Sequence, residues 1–163
     1  MAVRIVQSAS PSETEALGVE LAAALSPGDV VLIHGELGAG KTTFVRGAAR
    51  ALGVSDPVTS PTFSIGHRYR GADVTVTHLD LYRLQDLQAE DPELLEDYLG
   101  PEHIAFVEWP EAGSREFARA RVRVTLAHAG GDRRRIEICE TATTMTTTTP
   151  HSAAGPGTEG TPR

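Results

Sequence analysis

The stretch "DVVLIHGELGAGKTTFVRG", Asp29 to Gly47, limits the fold more than any other part of the chain. Val30 to Ile33 form a continuous apolar run, which is what a strand covered on both faces requires. Gly35 to Thr42 then match G-x-x-x-x-G-K-[ST], and the residues after them have helical apolar spacing that closes on Gly53. A buried strand, a glycine-rich turn and a helix in that order define a P-loop unit and an α/β chain, with a mostly parallel sheet flanked by helices. Each residue type has a physical reason. Gly35, Gly38 and Gly40 let the backbone curl so that successive N–H groups point inward at phosphates, and the helix N-terminus adds its positive end. Ala39 and Thr43 complete the nucleotide-binding positions. Lys41 is the only lysine among 15 basic residues. A compact ammonium fits the first helical turn beside the phosphates, where a planar guanidinium would collide. Thr42 supplies a hydroxyl for Mg²⁺, whose other ligands are phosphate oxygens, water and an acidic side chain. Recognition of guanine by an Asn/Thr-Lys-x-Asp element needs a second lysine, so ATP is favoured over GTP.

The rest of the chain reads around this unit. "RIVQ" is a short apolar opening, followed by a helix in "SPSETEALGVELAAAL" with Ser12 and Glu15 as a capping box, stopped by Pro27-Gly28. "TFSIGHRYR" and "VTVTHLDLY" read as two strands around Gly71, and "DPELLEDYLG" as a short helix starting at Pro92. "HIAFVEW" is a second buried strand, and "RVRVTLA" with "RRRIEICE" form a C-terminal antiparallel hairpin across "HAGGD". After Glu140 the composition turns to Thr, Pro, Gly and Ala with almost no large apolar side chains. One domain over residues 1–140 and a disordered tail over 141–163 are therefore expected. Glu159 and Arg163 cancel, so the first 140 residues carry the whole net charge of −7, which argues against stand-alone nucleic-acid binding. With the lone Cys139, no leader-like N-terminus and no run of membrane-span length, the chain reads as cytoplasmic.

Two carboxylates end strand-like runs, Asp80 in "VTVTHLDLYR" and Glu108 in "HIAFVEWPE". Glu108 follows the more continuous apolar run, as a central strand beside the P-loop strand would, and is assigned to the metal with Thr42. Asp80 is left to orient or deprotonate the attacking water, with Lys41 as the other catalytic group. "VTSPTFSIG" carries four hydroxyls after the P-loop helix, where segments that sense the γ-phosphate sit; an ordinary loop is the other reading. The single tryptophan, Trp109, is a core anchor or a partner contact. "REFARARVR" and "DRRR" are solvated hairpin faces, or carry an arginine that touches a phosphate.

The motifs "GELGAGKTTF", "VTSPTF", "HLDLYRL" and "VEWPE", in this order and at this spacing, resemble the TsaE (YjeE) family over about Ser12 to Arg135. These are bacterial P-loop ATPases required for N6-threonylcarbamoyladenosine at position 37 of tRNAs that read codons beginning with A. The resemblance implies that Lys41 holds the phosphates, Thr42 and Glu108 the Mg²⁺, and that Asp80 lies at the γ-phosphate. It implies a switch-like segment from Thr59 through Ser60, Pro61 and Thr62 to Phe63. It also brings Pro11, Glu111 and Arg133 close to the nucleotide, Pro11 through its backbone. Glu36 stands where aspartate is usual. The implied activity is weak, Mg²⁺-dependent ATP hydrolysis stimulated by two homologous partner proteins of the threonylcarbamoyl transferase complex. tRNA is met only indirectly, through those partners, and no membrane is involved. A small-molecule P-loop kinase and a nucleotide-gated binding module with little hydrolysis remain as alternatives.

Overall fold

A computed structural model describes residues 1–84, 93–113, 117–118 and 120–141. The elements run β1 (Ala2–Ser8), α1 (Pro11–Ala22), β2 (Val30–His34), α2 (Lys41–Ala51), β3 (Gly66–Arg70), β4 (Thr75–Asp80), α3 (Glu93–Glu96), β5 (His103–Glu108), a 3-10 turn (Pro110–Gly113), β6 (Val122–His128) and β7 (Arg134–Glu140). They build one seven-stranded sheet in the order β1-β7-β6-β2-β5-β4-β3. The four middle strands, β6, β2, β5 and β4, are mutually parallel. β7 and β3 run against them, and β1 pairs antiparallel with β7. The α/β fold with a mostly parallel sheet and a C-terminal hairpin is thus the observed one. Ala129 to Arg133 close that hairpin, with Gly130 and Gly131 at positive φ.

The apolar run Val31 to Ile33 is almost wholly buried because β2 lies between two parallel neighbours with side chains packed on both faces. On one face α1 and α2 cover a core that includes Leu17, Leu21, Phe44, Val45, Phe106 and Ile136. The two helices approach so closely that a Cβ on Gly47 would lie 2.0 Å from Glu15 O, and one on Gly18 would lie 2.2 Å from Phe44 O. On the other face a smaller cluster, with Leu32, Leu79, Val107 and Phe117, covers the β2-β5-β4 side.

Two sequence expectations change. The capping box of α1 is not Ser12 with Glu15. Ser10 is the N-cap and accepts from the Glu13 N–H at 3.2 Å, while the Glu13 carboxylate accepts from the Ala9 N–H at 2.6 Å. Pro11 explains the shift: it favours the first helical position and keeps the preceding residue extended, as Ser10 is with φ −153° and ψ 161°. Glu15 instead forms ion pairs with Arg46 and Arg50 of α2. The opening "RIVQ" belongs to a full strand, β1, at the sheet edge, with Val3 and Ile5 exposed. Pro92 and residues 142–163 lie outside the described residues, so the helix start at Pro92 does too, as does the tail expected over 141–163 apart from Thr141, whose N–H and hydroxyl both donate to Arg121 O at 2.9 Å. Among the described residues no helix is long and apolar enough to cross a membrane.

Register brings the site together. Ile33 pairs with Glu108, and Glu108 pairs with Asp80, so the C-terminal ends of β2, β5 and β4 align at one edge of the sheet. Ligands of open α/β sheets bind outside the carboxyl ends of the strands, and the P-loop leaves β2 at that edge.

Candidate nucleotide site

The loop from Gly35 to Gly40 turns from β2 into α2, and Gly40 is the N-cap at φ 98° with no side-chain cap. A left-handed N-cap suits glycine, and the first-turn N–H groups are left without a side-chain acceptor, free to face an anion. A Cβ at Gly35 would lie 2.6 Å from Leu126 O, so the loop can lie against β6 only with glycine there. The carbonyls of the loop are taken by side chains. Lys41 Nζ donates to Gly35 O at 2.8 Å and to Glu36 O at 2.9 Å. Arg134 donates through Nε to Ala39 O at 3.0 Å and through Nη2 to Gly38 O at 3.2 Å. His128 Nε2 lies 3.5 Å from Leu37 O.

Lys41 is the first residue of α2 and is only 5 % exposed. Its ammonium sits 4.4 Å above the Trp109 ring. Burial pushes its pKa below the ordinary 10.5, and the carboxylates of Glu108, Asp80 and Glu111 oppose that shift. A desolvated ammonium ringed by carbonyls and an aromatic face is poised for a stronger anionic partner.

Thr42 Oγ1 donates to Glu108 Oε1 at 2.8 Å, and His78 Nε2 donates to the same oxygen at 2.8 Å. Glu108 is 3 % exposed and His78 fully buried. A hydroxyl and a carboxylate oxygen already in contact are hard donors of the kind that Mg²⁺ takes, so the residues present fit that ion. Asp80 ends the next strand; Ser60 Oγ donates to its Oδ2 at 2.7 Å and the Tyr82 N–H to its Oδ1 at 3.1 Å. A cavity of about 340 Å³ has Gly38, Lys41, Thr42, Ser60, Asp80 and Glu108 in its wall. Beside it, a cleft of about 370 Å³ runs along Ser60 to Ile65 and Tyr82.

The segment from Thr59 to Phe63 is anchored at one end. Val58 is buried, its carbonyl accepts from Arg46 Nε at 3.4 Å, and Tyr69 of β3 bonds the backbone of Thr59. Ser60 reaches Asp80, Thr62 O accepts from Arg83, and Pro61 lines the cleft. Phe63 is fully exposed at its far end.

The remaining expected residues are placed as follows. Ala39 is buried and Thr43 lines the cavity. Glu111, on the 3-10 turn, accepts from His34 Nδ1 at 2.8 Å, and its charge acts on Lys41. Pro11 is exposed at the start of α1, one turn before Thr14, whose methyl would lie 3.7 Å from a Cβ on Gly40. Arg133 is exposed in the hairpin turn; the hairpin arginine on the loop is its neighbour Arg134.

Three features were missed from sequence. His78 sits two residues before Asp80, a strand spacing that puts both on one side, and that period was the available signal. Arg134 lies in the run Arg133–Arg135, which in sequence does not set one arginine apart from its neighbours. Trp109 is half-buried: it packs against the smaller core cluster, as a core anchor would, and also lines the cavity. It adopts φ 56°, packs on Tyr82 with ring centroids 4.8 Å apart, and lies beneath Lys41. A bulky residue at positive φ is a strained conformation, and here it directs the indole into the site.

The chain matches the family model described as "Threonylcarbamoyl adenosine biosynthesis protein TsaE" over residues 8–136. It is 37% identical over 130 residues to the tRNA threonylcarbamoyladenosine biosynthesis protein TsaE of Bacillus subtilis, covering 80% of this chain and 81% of the relative. It is 42% identical over 118 residues to the protein of that name from Streptomyces coelicolor, covering 71% and 80%. The crystal structure of Bacillus subtilis YdiB superposes with a TM-score of 0.71 at 30% identity, over 86% of this chain and 87% of that one.

Proposed function

The chain belongs to the TsaE family, and from that premise we propose that it is a Mg²⁺-dependent ATPase of tRNA threonylcarbamoyladenosine formation. It acts in the cytoplasm on the threonylcarbamoyl transferase complex of two homologous partner proteins, which modifies adenosine 37 of tRNAs reading codons that begin with A. Its acidic surface fits a chain that meets those proteins and not the RNA backbone. The observation that carries the reading is the Thr42–Glu108 contact at the mouth of the P-loop, with Asp80 in register on the next strand.

Lys41 exchanges its carbonyl contacts for the β and γ phosphates. Thr42 and Glu108 would hold the metal, which would neutralise charge on those phosphates. His78 keeps the Glu108 carboxylate turned toward Thr42. Asp80 orients the attacking water or takes its proton, and Ser60 fixes that carboxylate from the segment that faces the γ-phosphate. Pro11, Glu111 and Arg133 border the nucleotide.

Steady-state ATP hydrolysis by the full chain, with no small acceptor present, tests the enzymatic part: slow turnover that rises on adding the two partner proteins is expected. Turnover that appears only with a small-molecule acceptor would make the chain a kinase. Loss of threonylcarbamoyladenosine from cellular tRNA on depletion tests the biological part, and unchanged modification would overturn it.

A further inference from the structure

The phosphate loop is held from both sides. On the cavity side Lys41 takes the carbonyls of Gly35 and Glu36, and the Ala39 N–H also donates to Glu36 O at 3.1 Å. On the outer side the next carbonyls face the β6–β7 hairpin, where Arg134 forks between Gly38 O and Ala39 O. The remaining Nη1 of that guanidinium donates to Gly131 O and Arg133 O, both at 2.8 Å, in the hairpin turn. Every nitrogen of Arg134 is therefore spent on backbone carbonyls, and among the described residues no carboxylate pairs with it. In a turn of this kind each peptide plane that points its carbonyl outward points its N–H inward. Fixing the Gly38 carbonyl fixes the Ala39 N–H, which closes the loop on Glu36 O, and fixing the Ala39 carbonyl turns the Gly40 N–H inward.

We infer that Arg134 is a positioning residue that holds the phosphate loop in shape from behind, and makes the β6–β7 hairpin a working part of the nucleotide site. The inference rests on the phosphate-binding reading of the loop. It assigns Arg134 no contact with the nucleotide: the guanidinium acts through peptide planes that any nucleotide with a β-phosphate would use, so its loss weakens ATP and ADP alike. A lysine there keeps the charge but cannot fork between two carbonyls and a turn.

Binding of ATP and of ADP to the full chain is measured by calorimetry for the wild type, Arg134→Ala, Arg134→Lys and Arg135→Ala. Arg134→Ala is expected to weaken both nucleotides by a similar factor of about 10 to 100, the scale of one or two charge-assisted hydrogen bonds. Arg134→Lys recovers only part of the loss, and millimolar guanidinium ion restores affinity to Arg134→Ala by refilling the site. Arg135→Ala, on an exposed residue paired with Glu137, leaves both affinities unchanged. Wild-type affinity in a folded Arg134→Ala overturns the inference. A loss confined to ATP, with ADP spared, overturns it too, because that pattern means contact with the γ-phosphate. Should Arg134→Ala not fold, amide hydrogen exchange at Gly38 to Lys41 in nucleotide-free Arg134→Lys decides: faster exchange confined to the loop is expected, and unchanged exchange overturns the inference. A wild-type chain that binds neither nucleotide overturns the phosphate-site reading itself, a result distinct from all of these.

Discussion

Lys41 shows most plainly how one side chain is selected by its surroundings. Its ammonium has two carbonyls below it and the Trp109 ring 4.4 Å away, a space shaped for a compact cation. Lys41→Arg keeps the charge and puts a broad planar group where it does not fit, so ATP affinity should fall by more than about tenfold, measured by equilibrium titration; near-normal affinity would refute the steric argument. The two carboxylates should fail differently. Glu108 touches Thr42 and His78 and is buried, so Glu108→Ala should weaken Mg²⁺-dependent binding and hydrolysis together. Asp80 is held by Ser60 and the Tyr82 N–H, so Asp80→Ala should spare binding and slow single-turnover hydrolysis by about 10² to 10⁴-fold if it takes the proton. If instead the Asp80 variant loses Mg²⁺ dependence and the Glu108 variant keeps it, the two roles are exchanged.

At the scale of elements, what could be read in advance was what is local. The apolar run of β2, the glycines of the loop, the spacing of α2 and the alternation of β6 and β7 all lie within a few residues, and each element formed where its pattern lay. What depended on distant partners was not legible. β1 pairs with the far end of the chain, and Arg134 with a loop about a hundred residues earlier. His78 and Glu108 meet only because β4 and β5 are neighbours. The contrast of a polar β4 with an apolar β5 also faded, because Thr77 and His78 are buried by the strands and helices around them. Helix α1 offered two overlapping Ser-x-x-Glu patterns, and the proline between the serines decided. Ser10→Ala should therefore destabilise the fold by about 1 kcal/mol, while Ser12→Ala, at an exposed position, changes stability by less than about 0.5 kcal/mol. Urea unfolding of the two variants separates them, and equal effects would place the cap wrongly.

The described molecule is one sheet with the candidate site at the carboxyl ends of β2, β5 and β4. The folded unit proposed for residues 1–140 contains every group assigned to the site. Removing residues 142–163 should leave the melting temperature and the ATPase rate unchanged; a clear fall in either on truncation would show that the tail packs on the domain. The two ends of that unit are also neighbours, since Ala2 and Glu140 are cross-strand partners on β1 and β7. Facing residues of an antiparallel pair lie only about 5 Å apart, so a linker of a few residues could join them and new ends could be opened between the exposed Ala72 and Asp73. Such a circularly permuted chain would keep the β2–loop–α2 unit, both carboxylate strands and the hairpin uncut. The order in which the polypeptide visits these pieces is thus separable from the arrangement that gives them their chemistry.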